Sequence, residues 1–550
     1  MKTQFRPSLL PVLVALGLAA CTGEIGDGKK TGGNPTDPGG TGGPGNPGGG
    51  NLACKANASL ASARISLLTD DQYVNVVRDV FGVAFDGDVT TVKSQSGEYG
   101  IVETAAVSTL TMAQAYMRAA DQVSTKVKPC GTAAVTATCL EQFLRTKLPL
   151  AWRRPVADAE IRGLVDTIFT PALVDGVARA MQLTMEAALA SPAFLYRSEI
   201  GESIAAGTAK VTLTPYELAS AVSFALTNSS PDTQLWSKAQ DGTIAQDAVL
   251  VAEVDRLMTL PVVRDNLKKK VSFYLNFEKV PLISKDTALF PQYTTTLQAS
   301  LYQSSQKFLD DILWVGHFAD LFTSSRIYAN AEVAGVYGLS GVTGAQLVPV
   351  DGKAGGYTAG LLTHPALLLS SNKHTGTDDI VHRGLWVYDN LLCGVTIGAP
   401  PANADEVFAT LTGTEREKAL KRDALSCGTC HKSFDPFGLV TQSFDPIGRY
   451  RTIDPETKGP IDTTASIVNV GSDVDGDVTN VNDVAVKLSA GRRASDCAAV
   501  HLARYVLDHN PDVENSCQIQ QVKDDFAKTG SFPDLFKAIL TSPAFLTRDL

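Results

Sequence analysis

Positive charge is scarce in this 550-residue chain: 48 Lys and Arg stand against 58 Asp and Glu, a formal net charge of −10. That deficit excludes a broad basic face for sequence-independent nucleic-acid binding, whose affinity comes from neutralising phosphates. Beyond the first twenty residues there is no apolar run of the roughly 20 residues that a membrane-spanning helix needs. No G-x-S-x-G elbow, Walker phosphate loop or H-E-x-x-H helix occurs, so three common hydrolytic and nucleotide chemistries drop out. Gly352 to Gly360, GKAGGYTAG, lacks the strand–turn–helix setting of a nucleotide site and reads as a loop. DVDGDVTN, from Asp473, would need Glu at the twelfth position of a calcium loop and has Val484, so it reads as a turn.

What is present begins at the amino terminus, MKTQFRPSLLPVLVALGLAAC. Lys2 and Arg6 precede a short apolar run, Leu9 to Leu18, followed by small residues, which is the layout of an export signal. Leu18-Ala19-Ala20-Cys21 resembles the bacterial lipobox. That resemblance implies cleavage before Cys21 and acylation of its sulfur and new amino terminus, several chains making a firm anchor. Thr22 follows, not Asp, which in the Gram-negative pattern resembles an outer-membrane lipoprotein. TGEIGDGKKTGGNPTDPGGTGGPGNPGGG then reads as a tether that cannot bury a core.

At 44% hydrophobic and 19% charged residues, the remainder suits a globular protein. Its patterning predicts a mainly α fold. Thr69-Asp70-Asp71-Gln72 and Thr214-Pro215-Tyr216-Glu217 are capping boxes, with Gly82 stopping the first helix. Arg154-Pro155 precedes a third start, and the tracts 254–277 and 296–321 carry apolar residues at helical spacing. LASPAFLYR, Leu189 to Arg197, echoes LTSPAFLTR, Leu540 to Arg548. A duplication and a shared helix stop before Ser-Pro both explain the echo. The expected organisation is a signal peptide over 1–20, a lipidated tether over 21–52 and helical regions over 53–205 and 206–345. A cytochrome-c-like haem segment over 346–470 and a C-terminal helical region over 471–550 complete it.

The haem segment rests on CGTCH, Cys427 to His431. Two thiols one helical turn apart reach the two vinyl groups on one porphyrin edge, and the next residue presents an imidazole to the iron. With nine Cys and seven His placed at random, the pattern would occur roughly 0.002 times. Two other readings remain: a disulfide loop beside a spectator histidine, and a zinc site, which needs two more ligands where no second CxxC exists. Distal candidates are His364, His374 and His382, with five-coordinate iron as the alternative. His501 and His509 fall on a helical tail and are expected at the surface. If Cys21 carries lipid and Cys427 and Cys430 carry haem, six cysteines remain for an oxidising compartment. Sequence proximity pairs Cys130 with Cys139 and Cys497 with Cys517, leaving Cys54 with Cys393.

GLWVYDNLLCGVTIGAPPANADEV followed by CGTCHKSFDPFGLVTQSFDPIGRYR resembles the planctomycete-type cytochrome c lipoproteins, a family also frequent in myxobacteria. Their haem segment has CxxCH, then Asp-Pro-x-Gly, then Phe-Asp-x-x-Gly-Arg, matched here by Asp435 to Gly438 and Phe444 to Arg449. ISLLTDDQYVNVVRDVFG, LPLAWRRPVADAEI, LTPYELASAVSFALTNSSPD and the terminal block from CAAVHLARYVLDHNP to TSPAFLTR resemble other family blocks, so the likeness runs over about residues 60–550. The proline-rich loop usual before the motif is reduced to APPANA, Ala399 to Ala404.

The resemblance implies one covalent haem c on Cys427, Cys430 and His431. With the export signal, it implies an anchored protein at the outer membrane and a redox partner protein, such as an exported protein encoded nearby. It names no reaction. Electron transfer, a haem oxidoreductase with a substrate site in the helical regions, and a surface binding or structural lipoprotein all stay open. Arg449 and Arg451 are candidates for the haem propionates or for Asp435, Asp445 and Asp454. Phe434, Phe437 and Phe444 are candidates for the pocket wall or for ordinary core.

Overall fold

The computed structural model describes residues 62–85, 110–131, 135–203, 209–371, 379–394, 403–425, 427–507 and 516–550. Cys21, Cys54, His374, His509 and the lipobox lie outside the described residues. The described residues are mainly helical, as the patterning predicts. Both capping boxes form. The Thr69 hydroxyl accepts the Gln72 N–H while the Gln72 side chain accepts the Thr69 N–H, and this starts the helix Asp70–Phe81. Gly82 ends it at φ +70°, a left-handed position that glycine adopts without strain. Thr214 and Glu217 repeat the arrangement ahead of Pro215–Thr227.

The 254–277 tract is two helices, Asp247–Met258 and Pro261–Tyr274. Pro261 has no N–H to continue the first but suits the opening turn of the second. The 296–321 tract holds the helix Thr295–Leu313, which ends at Trp314, and a short helix, Asp320–Thr323, begins at its close. No helix among the described residues is long and apolar enough to cross a membrane.

The two SPAFL copies fold alike. A helix ends before Ser-Pro, PAFL makes a single turn (Pro192–Leu195 and Pro543–Leu546), and a strand follows, Tyr196–Glu199 and Thr547–Asp549. The first strand pairs antiparallel with Arg64–Leu67, the second with Lys210–Thr212, and Ser62 bridges to Asp549. The end of the chain therefore lies against the start of the folded body. Arg197 and Arg548, which close the two copies, are both buried beside Glu199.

One apolar core runs through Leu67, Tyr73, Leu144 and Phe194, while a larger one takes residues from Leu213 to Phe545, including Phe434, Phe437 and Phe444. The larger core carries the CGTCH helix.

Candidate functional site

CGTCH opens the helix Gly428–Leu439. The Cys427 carbonyl accepts the N–H groups of Cys430 (3.2 Å) and His431 (3.1 Å), so both cysteines and the histidine share the first turn. Both cysteines are free and half-buried; they are not joined to each other.

His431 is buried, and its ring packs against Phe434 (4.7 Å between centroids) and edge-on to Phe408 (5.7 Å). Its Nδ1 lies 2.9 Å from Asp435 Oδ1, one turn along the same helix. Asp435 Oδ2 in turn accepts from Arg422 Nε (3.0 Å) and Nη2 (2.8 Å). Arg422 comes from the helix Glu415–Asp423, started by a capping box at Thr414 and Glu417. Arg422, Asp435 and His431 form a line of charge-assisted hydrogen bonds, and all three are buried. With Nδ1 committed to the carboxylate, the histidine has Nε2 left for a metal. Two free thiols and one imidazole on a single helical turn fit the donor set of a c-type haem.

The motif helix lies on the helix Ile380–Trp386 at backbone contact. A Cβ on Gly384 would stand 2.1 Å from the Phe434 carbonyl oxygen, and one on Gly438 would stand 1.9 Å from the Ile380 oxygen. From the same supporting helix, buried Arg383 donates to the carbonyls of Thr441, Phe444 (2.7 Å) and Asp445 (2.7 Å). The second Asp-Pro block is a pinned turn. Asp445 accepts the N–H groups of Ile447 and Arg449, and the hydroxyls of Tyr337 and Tyr357 donate to the carbonyls of Ile447 and Gly448.

Arg449 Nε pairs with Asp445 at 2.6 Å, the local-pairing alternative, and Arg451 donates to the Gln442 carbonyl. Of the three phenylalanines only Phe434 meets His431; Phe444 packs between Tyr357 and Tyr450.

The distal candidates occupy other surroundings. His364 is fully buried, its Nδ1 accepting the Ala366 N–H and its ring between Phe277 and Phe308. His382 is half-exposed and its Nδ1 lies 2.7 Å from Asp379. His501, expected at the surface, is buried instead, stacked on Tyr274 at 5.2 Å, because its helix Arg492–Leu507 runs through the core rather than over it.

The cysteines need one correction. Cys130 and Cys139 are bonded, but Cys497 bonds to Cys393 and not to Cys517. That also removes the Cys54–Cys393 pairing, and Cys517 is itself in a disulfide. Proximity in sequence misleads here because Cys497 sits inside a helix packed on the 387–391 turn, with the Asn390 carbonyl 3.5 Å from its sulfur. The turn at 473–480 uses its carboxylates locally: Asp475 accepts the N–H groups of Val470 and Gly471.

Burial pushes His364 down to about 3, and burial with Arg504 alongside does the same to His501. Both groups take up protons more readily when unfolded, near their ordinary 6.5. Their contribution to stability is therefore full above pH 6.5 and is lost as pH falls toward 3, at up to about 1.4 kcal/mol per pH unit for each. Urea midpoints should drop between pH 7 and 4.5, and more shallowly in His501→Phe. An equal slope in the variant would contradict neutral burial of that ring.

Three family models match the chain: PSD5, protein of unknown function (DUF1595), over residues 139–199; PSD4, protein of unknown function (DUF1592), over 213–339; and PSCyt3, protein of unknown function (DUF1588), over 358–454. The chain belongs to the planctomycete-type cytochrome c family. No curated protein and no solved structure matches it. The PSCyt3 segment of this family member spans CGTCH, its supporting helix and the pinned turn, and the PSD5 segment ends at Glu199. Asp435 and Arg422 are the site residues that motif reading underrates. The signal for Asp435 is its i+4 spacing from His431; nothing in sequence points to Arg422 or Phe408.

Proposed function

We propose that this protein is an exported, membrane-anchored c-type haem protein that transfers electrons. Haem c would be held through thioethers to Cys427 and Cys430, with His431 Nε2 on the iron. The observation that carries this reading is the single helical turn bearing two free thiols and a buried imidazole oriented through Nδ1. The haem would supply one-electron exchange between ferric and ferrous iron. The chain's own residues set its terms. Asp435 fixes the tautomer and ring orientation of His431, Arg422 keeps the carboxylate paired, and the surrounding phenylalanines exclude water. The lipobox at Cys21 supports an outer-membrane anchor, and an electron carrier implies a redox partner protein. Mass spectrometry of the native amino terminus tests the anchor: an unmodified or absent Cys21 would refute lipidation.

The Asp435 contact gives a prediction of its own. A histidine that donates to a carboxylate is a more electron-rich ligand and favours ferric iron. Asp435→Asn keeps a hydrogen-bond acceptor but removes the charge. The reduction potential of the haem-loaded protein should rise by about 60 mV or more, a tenfold change in the one-electron equilibrium. Redox titration checks it, and an unchanged potential in a folded variant would reduce Asp435 to a packing role.

A further inference from the structure

Among the described residues, one cluster of metal-ligating side chains lies outside the CGTCH turn: Cys393, Cys497 and His501. Cys497 and His501 stand four residues apart on the helix Arg492–Leu507, so they project from one face of it. Cys393 reaches them from the end of the 387–391 turn, which continues the helix that carries Gly384. The ligand atoms of the three lie within 4.8 Å of one another, and Cys497 and His501 are both buried. The two sulfurs are joined in a disulfide, with the imidazole alongside.

The disulfide is not the only tie between these segments. Arg493, on the same helix as Cys497 and His501, donates from Nε to the Leu392 carbonyl (2.8 Å) and from Nη2 to that of Cys393 (3.4 Å). The Gly394 N–H donates to the Tyr388 carbonyl at 2.9 Å. Cys393 holds a φ of +45°, a conformation that a non-glycine residue keeps only where its surroundings fix it. Opening the S–S bond would therefore leave two thiols and an imidazole in place. The Asp389 main chain hydrogen-bonds the imidazole, the kind of backbone contact that orients metal-binding histidines. Burial beside Arg504 favours the neutral ring, which is the form that ligates. Donors on a tetrahedral zinc stand roughly 3.3–3.8 Å apart, given bonds of about 2.0–2.3 Å. Small side-chain rotations bring a set spanning 4.8 Å onto one ion.

We propose that, once reduced, Cys393, Cys497 and His501 bind one thiophilic divalent ion such as zinc, and that the disulfide closes this site. A dithiol reductant passes two electrons and two protons to the Cys393–Cys497 bond and leaves as its own disulfide. Cys393, half-buried, carries the sulfur open to attack. The ion then displaces the two thiol protons. Two thiolates cancel its charge, so no net charge is buried, and the neutral imidazole is the third donor. Water takes the fourth position, as in other zinc sites with three protein ligands.

The proposal does not depend on the haem, and the full-length protein tests it. Folded protein is treated with dithiothreitol, desalted without oxygen and equilibrated with buffered zinc. Peptide mass spectrometry follows the loss of the Cys393–Cys497 link. Bound zinc is then compared in the parent, His501→Phe and Cys393→Ser/Cys497→Ser. The double variant keeps every other cysteine, CGTCH included, so its difference from the parent belongs to this site. The expected result is one more zinc in the reduced parent than in the double variant, with no such difference before reduction. Zinc affinity should be at least tenfold weaker in His501→Phe, and zinc should slow alkylation of Cys393 in the reduced parent at least tenfold. A link that the dithiol leaves intact, equal zinc content in the double variant, or undiminished affinity in His501→Phe would overturn the proposal. Alkylation of Cys393 in the parent at a rate that zinc does not change would overturn it without any variant.

Discussion

Gly438→Ala should destabilise the protein by about 3 kcal/mol or more, through a backbone clash rather than a lost contact. In an exposed helix the same change stabilises by roughly 0.5–1 kcal/mol, because alanine loses less entropy on folding. Here the sign reverses. The new methyl would meet the Ile380 carbonyl at 1.9 Å for oxygen and 2.6 Å for carbon, and neither atom belongs to a movable side chain. The two helices would have to separate, and separation would also loosen Arg383 from the three carbonyls it holds at the following turn. Gly384 faces the opposite strip of the same crossing, 2.1 Å from the Phe434 oxygen, so Gly384→Ala should behave alike. Thermal or urea melts check both. An alanine variant as stable as its parent would mean that the helices are not in backbone contact.

Glu199→Gln should cost about 3–5 kcal/mol, the usual penalty for removing one partner of a buried ion pair. Glu199 is 3% exposed, and burial alone would raise its pKa. The guanidiniums of Arg64, Arg548 and Arg197 outweigh that and hold the carboxyl well below its ordinary value, so it stays ionised. Glutamine preserves shape and an acceptor oxygen but removes the negative charge that these three guanidiniums share. Because Arg64, Glu199 and Arg548 come from the start, the first third and the end of the folded body, the loss should appear in global unfolding. The urea midpoint should fall with an unchanged slope. A loss under about 1 kcal/mol would show that the carbonyl contacts suffice without the charge.

The helical elements were the most legible part of the sequence, because caps are local. Thr69 with Gln72, Thr214 with Glu217, and Gly82 each act within one turn, and each does what its residue type predicts. Pro261 shows the limit of periodicity: the apolar stripe runs through it, but the helix cannot. The CGTCH turn was legible because its chemistry needs contiguous residues. What stayed hidden depends on distant segments. His501 has the sequence neighbourhood of a surface tail and is buried because its helix runs through the core, where its ring stacks on Tyr274. Cys497 bonds across 104 residues to Cys393, a choice that the path of two elements makes and spacing cannot. Arg422 reaches Asp435 from a different helix, and Arg64 reaches the Leu507 carbonyl across 443 residues.

The central claim is that Cys427, Cys430 and His431 carry a covalent haem. Its most direct test is an absorption spectrum of protein made in a host that matures c-type haem, reduced in alkaline pyridine, beside Cys427→Ala/Cys430→Ala. The expected result is the sharp reduced band of a thioether-linked haem in the parent and its loss in the variant. A folded, exported parent without haem would contradict it, leaving CGTCH without a redox role.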